Sequence, residues 1–113
     1  MTQQTAHQPM SEAEEMTAYK YWRGIQLKIN SVATKEYAEL CKCHRKHERL
    51  MNQRKRLLDK KTPYNAVITI QLAINAQDIA DLNDEVERRR QVLSLLYNQI
   101  RIAGDEVGKV LST

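Results

Sequence analysis

The densest chemistry in this sequence is Cys41-Lys42-Cys43-His44-Arg45-Lys46-His47, four thiol and imidazole groups within seven residues. Thiolate and imidazole are the ligands that zinc favours. Spacing limits what they can do. On a helix Cys43 and His47 lie together, as do Cys41 and His44, but four such groups cannot converge on one ion. Cys43 and His47 are the metal candidates, and a second chain would have to complete the site. Lys42, Arg45, Lys46 and Arg49 would repel a cation there, and they could instead lower a thiol pKa and make an exposed cysteine redox-reactive. The expectation is structural: His44 and His47 sit on a packing seam with their polar edges turned to water, Cys43 is a small filler, and there is no metal and no cofactor.

The rest of the chain offers no stronger chemistry. There is no Gly-rich phosphate loop, no Ser/His/Asp set that periodicity could bring together, and no paired carboxylates in a plausible cleft. A pair of long helices also lacks the concave pocket that catalysis needs, so an enzyme is not expected. No family is recognised from motifs.

The elements that position these residues are long helices. Apolar residues recur at alternating steps of four and three through Ile68, Leu72, Asn75, Ile79, Leu82, Val86, Arg89, Leu93, Leu96, Ile100, Ala103, Val107 and Val110, about six heptads with two polar interruptions. That is a coiled-coil seam. At 113 residues, with 5% aromatic content, no Phe, 3 Gly and 2 Pro, the chain suits extended helices better than a globule or a strand-rich fold. Ser11-Glu12-Ala13-Glu14 matches a capping box, which predicts a helix from about residue 11 to 61 after a flexible tail at 1–10. Its seam reads Trp22, Ile25, Ile29, Ala33, Tyr37, Leu40, His44, His47, Met51, Arg54 and Leu58, and at 1.5 Å per residue this helix would be roughly 70 Å long.

Pro63 interrupts the pattern and suits the first position of a second helix capped by Thr62, from about 63 to 111. The expected fold is all-α, an elongated antiparallel two-helix coiled-coil hairpin that forms one domain over 11–113. Pairing Leu58 with Ile68 sets the register: Met51 meets Asn75, His47 meets Ile79, His44 meets Leu82, and Trp22 falls opposite Gly104, where a missing side chain leaves room for the indole. Arg89 then lies near Glu36 and Tyr37, and an ion pair with Glu36 is the simplest way to satisfy it. The alternative is that Arg89 reaches outward with Arg88 and Arg90.

Several apolar residues fall outside the seams: Val67, Ile70, Ile74, Leu95 and Ile102 on the second helix, with Leu27, Val32 and Leu57 on the first. A lone hairpin would leave them in water. They predict an apolar docking or oligomerisation surface, covered by self-association into a helical bundle or by a larger partner.

Charge adds direction to that surface. Residues 1–61 carry 13 basic and 7 acidic side chains, whereas residues 62–113 carry 5 and 7, within an overall net charge of +4. The excess concentrates in Lys42, Arg45, Lys46, Arg49, Arg54, Lys55, Arg56, Lys60 and Lys61, a block that would attract either an acidic protein surface or phosphates. A basic-zipper arrangement is rejected, because Pro63 separates the basic block from the second seam.

The sequence therefore points to a non-catalytic coiled-coil interaction or assembly protein that docks on a larger complex, steered by its basic end to an acidic surface. The alternative is a sequence-nonspecific nucleic-acid-binding accessory protein using the same block. A protein partner and a homo-oligomer are expected. No apolar run reaches the roughly 18 residues of a membrane span, and residues 1–30 hold no signal-peptide core. Two cysteines that cannot readily bridge each other on a helix fit a reducing, cytoplasmic setting.

Overall fold

The computed structural model describes residues 11–60 and 65–112. It contains two helices, α1 (Glu12–Lys60) and α2 (Ala66–Leu111), paired as an antiparallel helical hairpin, with no strand among the described residues. The tail expected at 1–10, the Thr62 cap and the Pro63 turn lie outside the described residues.

Both helix starts follow from a side chain that accepts from the first free amides. At α1 the amide of Glu14 donates to Ser11 Oγ at 3.2 Å, and Glu12, Glu14 and Glu15 occupy the positive end of the helix. At α2 the amide of Ile68 donates to Asn65 Oδ1 at 3.0 Å, so Asn65 caps the helix that runs from Ala66.

Contacts divide the chain into two units. An inner unit spans Lys35–Leu93, and a terminal unit combines the chain up to Thr34 with the chain from Ser94 onward.

In the inner unit α1 buries Leu40 and Cys43, and α2 buries Leu72, Asn75, Leu82, Val86 and Leu93. Half-buried Glu36, His47, Leu50, Arg54 and Leu57 complete the α1 stripe, while Ile68, Ile79 and Arg89 complete that of α2. Two polar contacts lock the register. Asn75, only 2% exposed, donates from Nδ2 to the main-chain oxygen of Leu50 at 3.0 Å and to Gln53 Oε1 at 3.2 Å. Arg89 Nη1 donates to Glu36 Oε1 at 2.8 Å, the ion pair expected from the spacing, and Nη2 donates to Glu85 Oε1 at 3.0 Å.

The terminal unit has a different seam. Ala33, Ala103 and Val110 are buried, with half-buried Trp22, Ile25, Gln26, Ile29, Leu96, Ile100 and Val107 around them. The Trp22 ring meets Tyr21 edge to face, with centroids 5.2 Å apart. Gly104 is not opposite the indole. A Cβ built there would lie 3.1 Å from Gln26 Nε2, and no atom of Trp22 comes within 4 Å of it. Trp22 instead lines a shallow hollow with Ile25, Ile29, Gln99, Ile102 and Ala103.

The second half of the α1 seam also differs from expectation. Tyr37 is 55% exposed, Met51 45% and Leu58 48%, and His44 is exposed as well. The residues one position earlier, Glu36, Cys43, Leu50 and Leu57, face α2 in their place, so Leu57 belongs to the seam and Leu50 rather than Met51 meets Asn75. Strict steps of three and four run from Ala33 through Glu36, Leu40, Cys43, His47, Leu50 and Arg54 to Leu57. The alternation holds its phase through the charged Glu36 because Arg89 gives that carboxylate a partner.

Candidate interaction surface

The inner unit treats its cations in two ways. Arg89 lies against the seam between two carboxylates, and hydrogen bonds to Glu36 and then Glu85 raise its pKa above the ordinary arginine value. Each of its three guanidinium nitrogens donates within the hairpin, to Glu36 or to Glu85.

The basic block behaves otherwise. Lys42, Arg45, Lys46, Arg49, Lys55, Arg56 and Lys60 are exposed, Arg54 is half-buried towards the seam, and Lys61 lies outside the described residues. Lys42, Lys46, Arg49, Arg56 and Lys60 follow helical steps of three and four, with Gln53 filling the one gap, so they form a single row along α1. Lys42 pairs with Glu39 at 2.9 Å, and that bond holds the Glu39 carboxyl below its ordinary pKa. Among the described residues no other member of the row has a carboxylate within pairing distance. Helix geometry produces this: the row lies off the seam, and on α1 itself only Glu48 and Asp59 interrupt the cations between Lys42 and Lys60.

The apolar residues assigned to docking are exposed. Val67, Ile70 and Ile74 are 57–64% exposed in the inner unit, while Leu95 and Ile102 are exposed in the terminal unit. Val67, Ile70 and Ile74 occupy successive turns of one face, because their steps are three and four. Leu27 and Val32 are also exposed. Tyr37, Met51 and Leu58 form a further exposed row that sequence reasoning had placed on the seam. From Ala33 the count through Glu36 and the count through Tyr37 both alternate strictly by threes and fours, so periodicity alone does not separate them.

The cysteine and histidine cluster is split by the helix. Cys43 is buried and His47 half-buried on the seam, whereas His44 is exposed and off it, which corrects its expected seam position. Cys41 is half-buried, and both thiols are free. Among the described residues no three His, Cys, Asp or Glu side chains stand together to hold a metal. Likewise, no described helix is long and apolar enough to cross a membrane.

Comparisons of the chain with protein-family models, with curated proteins and with solved structures found no match. The functional reading therefore rests on the surface alone.

Proposed function

We propose that this chain is a non-catalytic helical interaction protein that docks on an acidic protein surface of a larger assembly, as a structural piece or a modulator. The observation that carries this reading is the row Lys42, Lys46, Arg49, Arg56 and Lys60, exposed along one side of α1 and, beyond Lys42, without a carboxylate partner among the described residues. Unneutralised charges in a row raise the local potential, which steers an acidic partner and fixes its orientation more than it adds affinity. Exposed Val67, Ile70 and Ile74 in the same unit supply apolar contact that electrostatic steering alone would lack. Free thiols at Cys41 and Cys43 support a reducing, cytoplasmic setting as part of the same proposal.

The same row could neutralise phosphates, and nucleic acid is the competing partner. No Phe, Tyr or Trp lies between Lys42 and Lys60 to stack on an exposed base, which favours protein over single strands. Fluorescence anisotropy of the full chain against poly-L-glutamate and against arbitrary duplex DNA, each at low and physiological salt, separates the two. The expected result is poly-L-glutamate binding that weakens about tenfold in R49E/R56E, with a shallower salt dependence and unchanged helicity. Binding that survives the double reversal would sink the steering role. Duplex binding that persists at physiological salt without poly-L-glutamate binding would replace this reading with the nucleic-acid one.

A further inference from the structure

The basic row has a counterpart of opposite sign on the same molecule, and among the described residues no ion pair joins the two. On α2, Asp78, Asp81 and Glu85 lie within two turns of one face, preceded by Val67, Ile70 and Ile74 and followed by Arg88. Asp78 and Asp81 are exposed, and among the described residues neither pairs with a cation; Asp81 accepts only from Gln77 Nε2 at 2.8 Å. Gln53 on α1 and Glu85 on α2 occupy the same place in their own heptads, one residue before a seam position. Equivalent flanking positions fall on the same side of an antiparallel pair, so the basic row and the acidic row lie side by side on one broad face of the inner unit.

Their heights along the pair match as well. The contacts of Leu50 with Asn75 and of Glu36 with Arg89 set the level of every residue between them. Arg49 stands level with Ala76, Lys46 with Ile79, Lys42 with Asn83 and Glu39 with Val86. Each cation is thus within a turn of Asp78, Asp81 or Glu85, and where α1 changes sign at Glu39, α2 changes sign at Arg88.

Resting on the reading that the row meets an acidic protein surface, we propose that this surface belongs to a second copy of the chain. Two inner units pack face to face about a two-fold axis parallel to the helices, α1 of each copy lying on α2 of its partner. That operation preserves height and exchanges the helices, so Lys42, Lys46 and Arg49 of one copy meet Asp78, Asp81 and Glu85 of the other, twice over. Arg56 and Lys60 stand level with Thr69 and Asn65, so Val67 lies between them, and their methylene stems cover it while their charged ends remain in water. The result is a four-helix bundle whose lateral contacts are mainly ionic, in contrast to the apolar seam within each hairpin.

A charge-swap experiment on the full chain tests this. By light scattering after size exclusion at low salt, the wild type should have twice the 13.2 kDa mass of one chain and should dissociate as salt rises. K46E/R49E and D78K/D81K should each weaken the dimer by about tenfold or more at unchanged helicity, because each repeats the same repulsion at both contacts. An equimolar mixture of the two variants should restore the dimer mass, because both contacts of the mixed pair are complementary again. A monomeric wild type overturns the inference but leaves the poly-L-glutamate result, and with it the docking reading, standing. A dimer that survives both reversals and is instead broken by M51E/L58E, on the opposite flank, also overturns it.

Discussion

The inner and terminal units are built on the same heptad spacing and hold their helices together by different means. In the inner unit Asn75 and Arg89 sit within the seam, and each bonds to a particular residue on α1. In the terminal unit the buried residues are Ala33, Ala103 and Val110, and the close approach at Gly104 is to the flexible end of Gln26. Apolar burial is non-directional, and a slide along an apolar seam exchanges one hydrophobic contact for another. A buried amide or guanidinium is directional, and a slide leaves it unpaired. The inner unit therefore specifies the register, and the apolar positions around it supply the stabilisation.

The largest way to break this division is to remove apolar volume from the inner unit. Leu82 is 3% exposed, and Leu82→Ala should lower the free energy of unfolding by roughly 2–5 kcal/mol in urea titration. A loss under about 1 kcal/mol would mean that the inner seam is not close-packed.

A sharper and smaller test exchanges polarity for packing. Asn75 Oδ1 is buried and accepts no hydrogen bond, so the amide carries an uncompensated desolvation cost. Asn75→Leu should raise stability by about 1 kcal/mol while relaxing the register. Spin labels at Arg45 and Asp84 would report that relaxation as a broader distance distribution. A narrow distribution in the variant would show that Arg89 and Glu36 suffice for the register.

The smallest expected effect lies in the terminal unit. Nothing lies within 4 Å of a Cβ at Gly108, so Gly108→Ala should stabilise the end of α2 by about 0.5–1 kcal/mol, read as a rise in the midpoint of thermal unfolding. Gly104→Ala should give less, because Gln26 has to swing aside to admit the new methyl group. Equal gains at both sites would show that Gln26 moves without cost.

The two helices were unequally legible. Every residue of the α2 seam named from periodicity is buried or half-buried, from Ile68 to Val110. Apolar neighbours such as Val67, Val92, Leu95 and Ile102 also adjoin this seam, but the count from Ile68 keeps strict steps of four and three to Val110. On α1 each second step offers two adjacent candidates: Glu36 or Tyr37, Cys43 or His44, Leu50 or Met51, Leu57 or Leu58. Choosing Tyr37 over Glu36 for its apolar ring moved the positions that followed at seven-residue intervals. The basic row was legible as composition, while its lack of ion pairs with the α2 carboxylates, among the described residues, followed only from the paired helices.

By itself the sequence determined that the chain forms two long helices joined by a short break and paired antiparallel, because local periodicity, caps and scarce Gly and Pro all act within a few residues of each other. It offered Glu36 as the simplest partner for Arg89, and the structure chose that pairing over an outward-reaching arginine. Only the tertiary structure decided which side of α1 faces α2, because that choice depends on satisfying Arg89 and Asn75 across the pair rather than on the apolarity of α1. The same choice turned Tyr37, Met51 and Leu58 to water, and among the described residues it left Lys46, Arg49, Arg56 and Lys60 without a carboxylate partner.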